Sequence, residues 1–292
     1  MKKILSLLML LCITLGAQAQ LLWKVSGGGL DRPSYLIGTH HLAPLSIIDS
    51  LPGFKPAMAA VEQVCGEMVT EDILSPENVQ LMQRAAMLPA GTTLRSLLTE
   101  AQYDSVALHI KNLMGADLKM FDGVKPSLLS AQITAISALQ TIEGYNPQQQ
   151  LDGWIQSEAK AQGKIVGGLE TMDIQLNVMF NAQTLERQAE ILYNMLTDME
   201  RTAKQARDLT DAYMHQDLAK MEELVRDEDG ADKHPEETEV LIYNRNENWM
   251  KLMPQIMAEH PTLFAVGAGH LVGERGIIAL LRKAGYRVEA VE

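Results

Sequence analysis

Two stretches from opposite ends of this chain constrain its fold more than anything between them. Ser34-Tyr-Leu-Ile-Gly38-Thr39-His40-His41-Leu42 and Thr262-Leu-Phe-Ala-Val-Gly267-Ala-Gly269-His270-Leu271 each pass from a short apolar run into Gly-x-x-His-Leu. Runs of that length, β-branched or aromatic and bounded by glycine, read as buried strands. Each therefore delivers one imidazole just past a strand end. In α/β sheets the carboxyl ends of strands are where ligands bind, and a glycine there lets the backbone turn or approach a ligand with no Cβ in the way. His41 and His270 are thus expected to share one site, with Gly38 and Gly267 as points of substrate approach. Side chains alternate along a strand, so His40 is expected to point away.

The segments between supply further strand ends. Val64 to Val69 is a short apolar run around Glu67, and Lys164-Ile-Val-Gly-Gly-Leu-Glu170-Thr171 is a strand that runs through glycines to an acid. From about residue 75 to 258 the pattern is mostly helical. Ser75-Pro76-Glu77 has the hydroxyl, proline and acid of a helix start, and Thr99-Glu100 opens another helix. Soft breaks are expected near Asn181 and between Asp208 and Asp217. One long helix is expected from Glu236 to Ala258, with Arg245 and Trp249 on one face. Asp227 to Pro235 reads as a charged exposed loop in which His234 is solvated. The closing strand, helix and strand from Thr262 to Val291 form a βαβ pattern, which predicts parallel neighbours. The fold class is α/β, a central mixed sheet built from the N- and C-terminal segments with a long helical insert.

The N-terminus begins with Lys2 and Lys3, continues through the apolar run Ile4 to Gly16 and ends in Ala17-Gln18-Ala19. A basic region, a short apolar core and an Ala-x-Ala site make residues 1–19 a signal peptide, too short to span a membrane. An uncleaved anchor is the alternative. The expected domain is then residues 20–292, exported to a periplasm or the cell exterior, with no stable membrane span after cleavage. Cys12 would leave with the leader, so Cys65 has no partner for an internal disulfide. A formal net charge of -12 argues against non-specific nucleic-acid binding, which needs basic surface.

His41, His270, Glu67 and Glu170 all fall at or near strand ends. Two neutral imidazoles with carboxylates suit a divalent ion such as Mn, Co, Zn or Fe. Water on such an ion ionises near neutral pH, and a free carboxylate acts as base, which makes metal-assisted hydrolysis the leading expectation. The same residues without metal suit acid–base hydrolysis. A protein that binds or sequesters a peptide or small ligand is the third reading. A plain ion pair between Glu67 and Arg245 is the structural alternative.

At these residues the chain resembles the TraB/PrgY/GumN family, whose relatives include the Tiki proteases. The matching positions are Ser34 to His41, Glu67, Gly168-Leu169-Glu170-Thr171, Arg245-Asn246 with Trp249, and Gly267 to His270 followed by Leu-Val-Gly-Glu. The resemblance implies an α/β domain similar to those of erythromycin-esterase-like and ChaN-like proteins. It implies a metal-dependent peptidase in which His41 and His270 are ligands and Glu67 a ligand or base. Glu170 and Arg245 would join Glu67 in catalysis, Arg245 as a substrate or transition-state contact, and Asn246 would touch substrate. A peptide or small molecule is the implied substrate.

Overall fold

The computed structural model describes residues 20–225 and 234–292. The expected signal peptide and most of the expected charged loop lie outside the described residues. Among the described residues no helix is long and apolar enough to cross a membrane.

The chain opens with strand β1 (Leu22–Gly27) and returns as β2 (Ser34–Thr39). Gly27, Gly28 and Gly29 all take positive φ, at 74°, 60° and 86°, the backbone region glycine enters without steric cost. Helix α1 (Phe54–Ala60) then leads to β3 (Gln63–Gly66). The middle of the chain supplies α2 (Pro76–Ala85), α3 (Glu100–Met114), α4 (Pro126–Thr141) and α5 (Leu151–Ala161). After β4 (Ile165–Gly168) come α6 (Met172–Asn181), α7 (Leu185–Thr197), α8 (Met199–Met214) and α9 (Leu218–Val225). Helix α10 (Asn244–Glu259), β5 (Thr262–Gly267), α11 (Ile277–Lys283) and β6 (Tyr286–Ala290) complete the order.

The expected helix starts hold in detail. Ser75 accepts from the Asn78 N–H, and Thr99 forms a reciprocal capping box with Gln102. Two helical expectations are revised. The stretch after Met172 breaks near Asn181 and again around His215, and it also breaks at Asp198, whose side chain caps α8. The expected helix from Glu236 is three pieces, a turn at Pro235–Thr238, a five-residue π-helical turn at Glu239–Tyr243, and α10. His234 also departs from expectation, because Glu236 holds its ring at 3.3 Å.

The strands form one mixed sheet in the order β4-β3-β5-β2-β1-β6. β4, β3, β5 and β2 run parallel, and β1 runs against β2 and β6. The α/β class with a mixed sheet is as expected, and the middle of the chain contributes β4 to it. The βαβ expectation at the C-terminus is corrected, since β6 pairs with β1 and not with β5. Both edges of β5 are already taken, by β3 and β2, so the last strand crosses to the open edge of β1.

The main core collects the buried sides of the strands with Leu151 and Ile155 of α5, Trp249 and Met253 of α10, and Ile277 and Leu281 of α11. A second core lies within the helical middle, built on Leu94, Tyr103, Val106, Ile110, Leu129 and Leu192. Burial of this kind stabilises by about 25 cal/mol per Å² of apolar surface removed from water.

Candidate functional site

The register places both histidine motifs together. Thr39 is opposite Gly267 in the parallel β2–β5 pair, so His41 and His270 leave adjacent strands at the same carboxyl edge. Gly66 of β3 is opposite Ala265 and Gly168, which brings Glu67 and Glu170 to that edge as well. The Glu170 N–H donates to the Glu67 carbonyl at 2.7 Å, locking the two acid-bearing turns side by side.

Arg245 of α10 enters this edge from the helical side and is saturated there. Nε donates to Glu170 Oε1 at 2.8 Å, and Nη2 donates to Glu170 Oε2 at 3.0 Å and to Glu67 Oε2 at 2.5 Å. Nη1 donates to the Leu241 carbonyl and to His270 Nε2, both at 3.1 Å. A guanidinium has five N–H donors, and these contacts use them all. Leu241 lies in the π-helical turn, one of the irregularities that frequently accompany functional sites. Glu170 is equally committed, since it also accepts from Trp249 Nε1 at 2.8 Å and Gln175 Nε2 at 2.7 Å. Its side chain is 3% exposed. In this arrangement Arg245 and Glu170 form a buried brace with no free donor on Arg245. The structural alternative of a Glu67–Arg245 ion pair is realised within it.

Glu67 is the carboxylate that stays partly open, at 19% side-chain exposure. Its Oε1 accepts the Gly267 N–H at 2.8 Å and lies 3.8 Å from His270 Nε2. Burial opposes ionisation of Glu67, but the neighbouring positive charge and the Gly267 N–H outweigh it and hold the carboxyl below its ordinary range. Burial, the largest influence on His270, pushes that imidazole down to about 4, so near neutrality it is uncharged and Arg245 is the cation that Glu67 answers to.

The two motif histidines share one arrangement. His270 Nδ1 sits 2.7 Å from Asn246 Oδ1, and the Asn246 amide is oriented by its Nδ2 bonds to the carbonyls of His270 and Arg275. Nε2 faces a donor, Arg245, so the proton resides on Nδ1. His41 Nδ1 sits 3.1 Å from Asp152 Oδ2, in the first turn of α5, and Thr39 donates its hydroxyl to Asp152 Oδ1. The His41 side chain is 66% exposed, and its Nε2 has no hydrogen-bond partner among the described residues. The Asp152 hydrogen bond and charge raise His41 above the ordinary imidazole range, in the direction opposite to His270. In both rings a helix-borne oxygen faces Nδ1, while Nε2 of His270 accepts from Arg245 and Nε2 of His41 has no partner among the described residues.

The other expected residues fall into place around this pair. His40 turns away as expected, with Nε2 3.0 Å from Thr210 Oγ1 and its ring against Tyr213. Gly38 is closely packed, since a Cβ there would sit 3.0 Å from Ala268 Cα, and its carbonyl accepts the Tyr213 hydroxyl. Asn246 is 0% exposed and acts on His270. Gly267 uses its N–H on Glu67. Asp152, Gln156 and Gln175 join the site without a signal in the sequence that singles them out. Asp152 resembles the ordinary first-turn acid of a helix, and only its spacing of four from the buried Gln156 marks a common face.

Two imidazoles and a carboxylate are ligand types that a divalent ion takes, and an oxygen beside each Nδ1 is the outer support that metal-binding histidines use. His270 Nε2 and Glu67 Oε1 already face each other. Arg245 Nη1 shares that space, and no three side-chain donors converge on one point among the described residues.

A TraB/PrgY/gumN family model matches residues 21–290. The zebrafish (Danio rerio) protein named Metalloprotease TIKI2 is 24% identical, over 92% of this chain and 60% of its own length. The Metalloprotease TIKI homolog of the sponge Amphimedon queenslandica is 24% identical, over 95% of this chain and 62% of its own. Human Metalloprotease TIKI1 is 23% identical, over 92% and 61%. The chain thus spans about three-fifths of the length of these relatives. No solved structure matches it. The family match covers nearly the whole described fold: the chain belongs to the TraB/PrgY/gumN family.

Proposed function

We propose that this protein is an exported metal-dependent hydrolase that cleaves peptide bonds. The observation that carries the reading is the pair of histidines at one edge of the sheet beside Glu67, each with a side-chain oxygen at Nδ1, His41 Nε2 without a partner among the described residues and His270 Nε2 reached by Arg245 Nη1. His41, His270 and Glu67 are the residues that would hold a divalent ion, Mn, Co or Zn. Such an ion supplies an ionised water near neutral pH and polarises a carbonyl. The chain's own part is positional. Asp152 and Asn246 set the tautomer and direction of the two rings, and the lowered pKa of Glu67 keeps it an anion. Arg245 and Glu170 fix Glu67 from behind. The curated relatives are metalloproteases by name, which supports a peptide substrate. Export rests on the composition of residues 1–19.

One observation favours a second reading. Arg245 Nη1 lies 3.1 Å from His270 Nε2, where a cation would otherwise sit, and His41 with Asp152 is by itself a workable acid–base pair. Cleavage of a mixed peptide library before and after chelation separates the two. The metal reading expects chelation to abolish cleavage and Mn, Co or Zn to restore it. Cleavage that persists in chelator but is lost in His41→Ala supports the second, and no cleavage under any condition removes both.

A further inference from the structure

Strand β4 is an edge strand, paired only with β3 among the described residues. The Ile165 N–H donates to the Glu62 carbonyl and the Leu169 N–H to the Gly66 carbonyl, both at 3.0 Å. Backbone groups alternate along a strand, so Val166 and Gly168 turn their N–H and C=O outward, away from β3. Gly168 and Ile165 are exposed. An open edge of this kind is a template for another extended chain.

At the carboxyl end of β4 the chain passes through Leu169 and Glu170 into the wall of a cavity of about 350 Å³ between α6 and α10. Ile174, Val178, Val240 and Leu252 line it, with Glu170 and Arg245 of the buried brace and Lys251 also in its wall. Ile174 and Leu252 are 45% and 44% exposed, which is apolar surface left in water at the mouth. Cavities that hold small ligands begin at about 300 Å³ and are mainly apolar with a few placed polar groups.

We infer that the edge of β4 and this cavity form a peptide subsite, in which an extended substrate adds to the sheet at Val166 and Gly168 and seats an apolar side chain among Ile174, Val178 and Leu252. Main-chain bonds to a sheet edge with alternate side chains in pockets is a known mode of peptide capture. The occupant is an extended segment of polypeptide with a leucine-sized residue, because the edge offers backbone donors and acceptors and Ile174, Val178, Val240 and Leu252 give the cavity an apolar side. The assignment rests on the peptide reading above.

The test is binding without turnover. Full chain carrying His41→Ala is titrated, by fluorescence anisotropy, with a fluorescein-labelled alanine hexapeptide containing one leucine. Parallel titrations use the same probe with aspartate for leucine, and with single N-methylation at each successive peptide nitrogen. The expected result is about a tenfold rise in Kd for the aspartate probe and for Leu252→Glu against the leucine probe, the size expected from burying about two methylene groups. Methylation is expected to weaken binding at alternate nitrogens only. Melting temperature confirms that Leu252→Glu, a change at an exposed position, remains folded. Kd values within about twofold for leucine and aspartate probes, or indifference to methylation at every position, overturn the assignment. Because turnover is not measured, the outcome is independent of whether the wild type cleaves peptides.

Discussion

Two buried carboxylates are tied to one guanidinium in this protein, and the geometry makes Arg245 more consequential for folding than for contact with substrate. Removing it leaves Glu67 and Glu170 facing each other without a counter-charge. Breaking such a pair costs about 3–5 kcal/mol. Urea denaturation of Arg245→Ala is expected to show a loss of that size. Arg245→Lys is expected to recover little of it, because an ammonium has three donors on a flexible stem where the site uses a planar fork of five. A loss under about 1 kcal/mol would mean that the brace is solvated and that Arg245 is free to serve substrate. Cys65 gives a prediction of a different kind. It is 1% exposed on β3, and burial raises its thiol to about 12. Folded protein therefore binds a proton there that the unfolded chain releases above pH 9, so this contribution to stability is present below pH 9 and is lost as pH rises toward 12. Alkylation of native protein at about pH 8 is expected to be negligible and to become complete in denaturant. Rapid native labelling, followed by mass spectrometry, contradicts the burial.

Helix α5 does more for the site than its ordinary composition suggests. Asp152 reaches Thr39 and His41, and one turn on, Gln156 accepts from the Thr70 N–H at 2.9 Å and donates to the Met68 carbonyl at 2.9 Å. One face of one helix thus fixes the ends of both β2 and β3. Gln156→Leu leaves those backbone groups unsatisfied, a cost of about 1–3 kcal/mol. Hydrogen exchange at the Thr70 amide is expected to accelerate well beyond the change in global stability, and unchanged local protection would show that the loop is held by something else. This is also where the sequence is least informative. His41, His270, Glu67 and Glu170 are legible because each follows a strand-like run, and strand ends of parallel sheets converge. Asp152, Gln156 and Gln175 lie on helices, where an acid in the first turn or a glutamine on an amphipathic face has an ordinary explanation. Gly38 and Asn246 show a related limit: pattern marks a position as constrained, and only packing shows which groups it touches.

Across the described fold one edge of the sheet is built by pairing β1 with β6. β1 is sandwiched between β2 and β6, and the Val291 N–H donates to the Leu22 carbonyl at 3.0 Å. Strands from residues near both ends stand beside strands from the middle, so the sheet closes only when the full chain is present, and it is expected to unfold as one unit. Deleting residues 286–292 exposes the β1 edge and a row of unpaired backbone groups. The truncated chain is expected to lose cooperative melting or to aggregate, and a sharp unchanged melt contradicts the role of β6 as closure. The α/β class and the pairing of the two histidine motifs follow from strand-like runs ending in glycine. The destination of β6 does not, because which edge remains open is decided by the other strands and not by anything local to Tyr286–Ala290. Function, in the reading proposed above, turns on one cation site served from adjacent strands. Isothermal titration of metal-free protein with Mn, Co or Zn, in wild type and in His40→Ala, His41→Ala and His270→Ala, tests it most directly. The expected result is one ion bound by the wild type and by His40→Ala, with affinity reduced at least about tenfold in His41→Ala and His270→Ala. Binding that survives removal of either motif histidine, or no binding by the wild type while peptide cleavage proceeds in chelator, contradicts it.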